Sequence, residues 1–181
     1  MRAVTPLSSR TAAEDASALA PFFADLAARH ALADLTFVCI GTDRSTGDSL
    51  GPWVGTLLEE RGFPRVVGTL REPCDADRLA EAVAALSPEA TVVAVDACLG
   101  RPENVGRFLL SAGPLVPARS VGRSFPGIGH YSVAAIVNAV GPKPYWTLQT
   151  TSLYRVMGMA RQIADAASLY LGSPHPILDN K

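Results

Sequence analysis

The sequence has almost no net charge: 16 Lys and Arg stand against 17 Asp and Glu, for a formal charge of −1. No run of Lys or Arg is present either, so nothing draws the chain onto nucleic acid or an anionic membrane. Long apolar runs are also missing. No stretch approaches the roughly 20 residues that span a bilayer, and Met1 to Arg10 lack the apolar centre of a signal peptide. The expected compartment is the cytoplasm. Cysteine is scarce at three residues, Cys39, Cys74 and Cys98. An odd count without a CxxC pair points to neither a disulfide framework nor a zinc knuckle. The glycines match neither GxGxxG nor the Gly-Lys-Ser/Thr ending of a phosphate-binding loop. There is no internal repeat, low-complexity tract or interdomain linker.

What the chain does have is apolar material: 48% of its 181 residues are hydrophobic, enough for one real core. Residues 1–10 read as a loose tail. Thr11 to Glu14 have capping-box spacing, and an Ala/Leu-rich helix should follow to about His30, packed outside the main sheet. Leu35 to Gly41 is a short continuous apolar run, the signature of a strand buried on both faces. Cys39 lies within it as a small hydrophobe. A helix from about Leu50 to Arg61 stops at Gly62. A strand near Arg65 to Leu70, a helix capped by Asp75 or Asp77, and a strand over Thr91 to Ala97 complete β-α-β-α-β, a parallel-sheet pattern.

The second half is less regular. The reading places a strand near Gly106 to Leu110, a helix from Ser132 to about Val140, a strand over Tyr145 to Gln149, and a last helix from Ser152 to Tyr170. The expected architecture is a three-layer α/β/α fold with a mainly parallel sheet of about five strands, similar to the phosphorylase/hydrolase-like scaffold. Residues 1–34 form the N-terminal tail and helix, 35–172 the single α/β domain, and 173–181 a frayed tail.

In open parallel sheets, ligands collect at the carboxyl ends of the strands. Two of those ends carry acids. The polar, glycine-rich loop Gly41-Thr-Asp-Arg-Ser-Thr-Gly-Asp-Ser-Leu-Gly-Pro52 supplies Asp43 and Asp48, and the third strand closes on Asp96. With the strands in a 2-1-3 order, Asp48 and Asp96 face each other. Two ionised carboxylates at about 4 Å repel by roughly 4 kcal/mol at an effective dielectric near 20. Such a pair must share a proton, gain a cation or bind a metal. Arg44 is the cation nearest in sequence. Each acid also has a plainer reading: Asp48 as a helix cap, Asp43 as a turn residue. Phe125-Pro-Gly-Ile-Gly-His-Tyr-Ser132 is a third suspect segment. Gly129 there allows close backbone approach, and His130 is a metal ligand, a proton shuttle or a surface cap. Cys98 reads as a small packing residue or as a nucleophile partnered by His130.

Four segments together resemble a known family: the loop from Gly41 to Pro52, Gly68-Thr-Leu-x-Glu-Pro73, Val95-Asp-Ala-Cys-Leu-Gly100 and Ile136-Val-Asn138. They are similar to the YyaC group of sporulation proteins, over about Phe37 to Ala164. That group resembles the germination proteases, which degrade small spore proteins. The resemblance implies that Asp48 and Asp96 are a pair of catalytic aspartates. It also reaches the hydrogenase-maturation endopeptidases, which implies a divalent metal between Asp48, Asp96 and His130 as an alternative. Thr42 stands where both protease families carry asparagine, and the chain is much shorter than a germination protease. The expected function is an aspartate-type endopeptidase of sporulation or germination, in the mother cell or forespore, acting on a protein or peptide substrate. Thr42, Asp43, Arg44, Gly47, Gly129 and His130 are its substrate-side residues, with Gly47 and Gly129 offering amides to the oxyanion. No cofactor is implied with certainty, a divalent metal is an option, and a homo-oligomer is left open. The alternatives are the metal-dependent endopeptidase and a non-catalytic protein-binding domain.

Overall fold

A computed structural model describes residues 12–115 and 127–172 of the protein. The expected tails at 1–10 and 173–181 lie outside these residues. In chain order the elements are β1 (Ala13–Glu14), α1 (Leu19–Arg29), β2 (Leu35–Cys39), α2 (Leu50–Glu60), β3 (Val66–Val67) and α3 (Leu79–Ala84). They continue with β4 (Thr91–Gly100), β5 (Phe108–Ser111), β6 (Tyr131–Ala139), α4 (Pro144–Gln149) and α5 (Leu153–Leu171).

The strands form one sheet in the order β1-β5-β6-β4-β2-β3. β6, β4, β2 and β3 run parallel, while β5 and the two-residue β1 add an antiparallel edge. The expected 2-1-3 arrangement is present as β3-β2-β4. Side chains alternate across β4: Val93, Val95 and Ala97 enter one core cluster, Val92 and Ala94 the other. The larger cluster packs α1, α2 and α5 on one face, with Phe23, Phe37 and Phe108 fully buried. The smaller packs Leu79 of α3, Leu115 and Ile128 on the other. This is a three-layer α/β/α fold with helices on both sides of a mixed sheet.

Several elements differ from the sequence reading. The N-terminal segment is integral to the core: β1 pairs with β5, and α1 contributes Leu19, Phe22, Phe23 and Leu26. Asp15, whose carboxylate accepts from Ser17 N–H at 2.9 Å, caps the turn before α1, because Ala13 and Glu14 are already committed to the sheet. The expected helix over 132–140 is the strand β6. Its apolar residues run without alternation because β4, β5 and layers on both faces enclose it. The expected strand over 145–149 is the helix α4, which Pro144 opens at its first position. Gly62 does end α2: it takes φ +79°, and Phe63 N–H reaches back to the Leu58 carbonyl at 3.1 Å.

Candidate active site

The crossover from β2 leads to β3 on one side, whereas β4 leads toward β6 and β5 on the other. The crevice above β2 and β4 is therefore the switch point at which open α/β sheets bind ligands. Cys39, the last residue of β2, pairs with Val95, and Ile40 N–H donates to the Val95 carbonyl at 2.7 Å. Asp96 is thus the first β4 residue above the shared ladder. β4 itself runs on to Gly100, paired from there only with β6, so Asp96 lies within the strand rather than closing it.

Asp48 comes from the loop between β2 and α2. Gly41 starts that loop at φ +143°, and a Cβ there would sit 1.9 Å from the Asp48 carbonyl oxygen. Only glycine lets the chain turn back on itself so closely. Gly41 N–H donates to the Cys74 carbonyl at 3.0 Å, and Thr42 N–H to the Asp48 carbonyl at 3.2 Å. The loop is thereby pinned to the sheet and closed on itself. A short 3-10 turn, Gly47–Ser49, then feeds α2. Gly47 is buried against Leu148 of α4, where a Cβ would meet its backbone at 2.9 Å. Its lack of a side chain serves packing.

The two carboxyls feel each other. Burial pushes Asp96 up to about 8, its bond from Ala97 N–H (2.7 Å) opposes the rise, and the charge of Asp48 adds to it. Asp48 is also raised above the ordinary carboxylate range, by burial. Cys98, two residues beyond Asp96 on the same side of β4, is held up at about 12 by burial and by Asp96. That shift opposes the thiolate form that a nucleophile needs.

The remaining expected residues are placed elsewhere. Arg44 is not the counter-ion of the pair: its side chain is 77% exposed and its guanidinium bonds Asp75 at 3.0 Å. Asp43 is exposed in the turn. Thr42 accepts from Arg44 N–H at 3.3 Å, within the loop's own bonding. His130 and Gly129 lie at the amino end of the sheet. His130 N–H donates to the Val92 carbonyl at 2.8 Å, and its Nδ1 accepts from Val92 N–H at 3.0 Å. Val92 precedes Asp96 by four strand residues, about 13 Å along β4. His130 is therefore neither a metal ligand with the pair nor a partner of Cys98. Gly129, at φ +89°, accommodates the close turn against Ala94 and Val92 at that far end.

The metal alternative needs a third donor beside the aspartates. Among the described residues, no group of three or more His, Cys, Asp or Glu could hold a metal ion. The donor set does not fit.

Two further residues at this end of the sheet carry no role in the sequence reading, each entering it only within a family motif. Asn138, at the carboxyl end of β6, donates to Thr151 Oγ1 at 3.2 Å and to the Thr147 carbonyl at 3.4 Å, tying α4 and its junction with α5 to the sheet. Ser45, a loop residue that reads as solvated, is 4% exposed, and its hydroxyl is buried without a hydrogen bond.

Over residues 10–166 the chain matches the family described as "Protein of unknown function (DUF1256)". The chain belongs to the DUF1256 family. A curated relative of this DUF1256 protein is "Uncharacterized protein YyaC" of Bacillus subtilis (strain 168). It is 44% identical over 140 residues, spanning 75% of this chain and 68% of that protein. The resemblance to the YyaC group, drawn from the loop and strand-end motifs, is borne out. Among solved structures, the NiFe hydrogenase maturation protease HycI from Thermococcus kodakarensis KOD1 aligns with a TM-score of 0.44 and 19% identity. The alignment takes in 74% of this DUF1256 chain and 92% of that one.

Proposed function

We propose that this DUF1256 protein is an aspartate-type endopeptidase whose catalytic residues are Asp48 and Asp96. One observation carries the reading: two acids stand at the switch-point end of the sheet, both raised above the ordinary carboxylate range by burial, with the charge of Asp48 adding to the rise of Asp96. Such a pair holds an acid and a base at once. The ionised carboxylate takes a proton from water as the water oxygen bonds to the scissile carbonyl carbon. The protonated carboxyl gives its proton to the carbonyl oxygen, yielding a neutral tetrahedral diol. Collapse of the diol breaks the C–N bond. One diol proton returns to a carboxylate, and the other carboxyl protonates the leaving amine, so the pair ends as it began.

The substrate in this reading is a protein or peptide. The likeness to the germination proteases supports small spore proteins as a substrate class and the mother cell or forespore as the setting. No helix among the described residues is long and apolar enough to cross a membrane. The test is cleavage of casein and of a small spore protein by purified enzyme. Asp48→Asn and Asp96→Asn should each lower the rate by about 100-fold or more. Equal cleavage by wild type and both variants would reject the assignment.

A further inference from the structure

Eight large hydrophobic side chains stand exposed among the described residues, and five of them fall within residues 140–154: Val140, Tyr145, Trp146, Leu153 and Tyr154. Trp146 is 61% exposed and Tyr154 90%. They belong to the turn after β6 and to the first turns of α4 and α5, all at the carboxyl end of the sheet. The same segment abuts the loop that carries Asp48, since Gly47 packs against Leu148 and Asn138 binds Thr147 and Thr151. The exposed face therefore borders the crevice. Apolar side chains gathered in one exposed place mark a contact surface, where scattered ones need no explanation.

A second feature lies one turn further along α5. Gly158 sits inside a 19-residue helix, where glycine costs stability relative to alanine. The glycines of α2 have a packing reason, because a Cβ on Gly51 or Gly55 would run into the carbonyl oxygen of Ile40 or Gly68. A Cβ on Gly158 would meet nothing within 4 Å. Nothing inside the molecule asks for glycine there. Helical spacing puts Tyr154 and Arg161 on either side of it, so Gly158 is an open notch in the exposed stripe. Charge selects the occupant. From Asn104 to Ala164 the sequence contains no Asp or Glu, and the face carries Lys143, Arg155 and Arg161. Lys143 and Arg161 join no ion pair among the described residues, and Arg155 reaches the Val137 carbonyl at 3.2 Å. Glu103, in the turn after β4, is the acid of the adjoining element. A second copy would bring these cations against themselves across a two-fold axis, which disfavours self-association. We propose that α4 and the exposed stripe of α5 dock an acidic segment of the polypeptide substrate, whose apolar side chains cover Trp146 and Tyr154 and enter the notch at Gly158. That the occupant is substrate rests on the peptidase reading; the docking of an acidic, apolar polypeptide does not.

The test is fluorescence anisotropy with full-length Asp96→Asn protein, so that the probe survives. The probes are a labelled peptide of Glu, Leu and Phe, the same peptide with Lys for Glu, and a labelled oligothymidylate. The acidic peptide should bind at least about tenfold more tightly than the lysine peptide, and added salt should weaken it. Trp146→Ser, Gly158→Leu and the pair Lys143→Glu with Arg161→Glu should each weaken it by about tenfold. Gly158→Leu should melt no lower than its parent, leucine being the better helix former, so its loss of binding is not a loss of fold. Equal binding of the two peptides, or affinity unmoved by Trp146→Ser and Gly158→Leu, would overturn the proposal. So would tighter binding of the oligonucleotide, or a dimer in sedimentation that these substitutions dissolve. Docking of the acidic peptide by wild type that cleaves neither casein nor spore protein would sink the peptidase reading and leave the docking face standing. Cleavage lost in both aspartate variants, with KM for casein unmoved by Trp146→Ser and Gly158→Leu, would do the reverse.

Discussion

Replacing Asp96 by asparagine should make the protein more resistant to alkaline conditions. Asp96 has an ordinary value of 3.8 and is pushed up to about 8 in the fold. Between those values the native chain holds a proton that the unfolded chain releases, so the unfolded state binds fewer protons and stability falls as pH rises. The contribution of a protonated Asp96 is complete below about 3.8 and lost by the time the pH passes about 8. Four pH units at about 1.4 kcal/mol each give a loss on the order of 5 kcal/mol. That is a large share of a typical folding free energy. Asparagine keeps the shape and an acceptor for Ala97 N–H but has nothing to ionise. Urea unfolding at pH 4 should give wild type and Asp96→Asn nearly equal stabilities. At pH 9 the variant should be the more stable by several kcal/mol. A gap between the two proteins that is the same at both pH values would refute the claim that Asp96 is held neutral by its surroundings.

Other substitutions probe the same site from its edges. Gly41→Ala should cost about 2–4 kcal/mol in urea unfolding, because a methyl group at φ +143° meets the Asp48 carbonyl. A cost under about 0.5 kcal/mol would show that the loop closes differently. Arg44→Ala should leave both aspartate titrations unchanged and shift stability by less than about 1 kcal/mol, as its partner Asp75 is met at the surface. A clear rise in either aspartate would restore Arg44 as a counter-ion. His130→Ala should cost about 1 kcal/mol of stability through the lost bond from Val92 N–H. It should leave peptide cleavage intact, and a loss of cleavage would place His130 in the site.

The central parallel strands and their acids were legible because buried parallel strands are continuous apolar runs, and few residue types interrupt them. Asp96 stands out within Val92 to Ala97 for that reason, and the β-α-β-α-β order brings Asp48 to the same end of the sheet. The errors have one root. Ser132 to Ala139, rich in alanine and opened by serine, has the local character of a helix and becomes strand β6 only through the sheet around it. A residue just before a helix in such a fold lies at the carboxyl end of the sheet, whereas one just before a parallel strand lies at the amino end. Reading β6 as a helix therefore carried His130 into the crevice, where the metal alternative implied by the family resemblance could use it. Tyr145 to Gln149 misled in the opposite way. Its aromatic and β-branched residues suit a strand, but Pro144 sets the first turn of a helix. Ser45 was invisible for a different reason: its burial depends on the closed loop, and on α4 packing against Gly47 two residues later, contacts between segments about a hundred residues apart.

The account stands on two carboxyls sharing one proton at the head of β4. Infrared difference spectroscopy of the protein at pH 6.5 measures that proton directly. The account predicts a protonated-carboxyl band in wild type that disappears in Asp96→Asn. A spectrum without the band, or a band that persists unchanged in the variant, would contradict it.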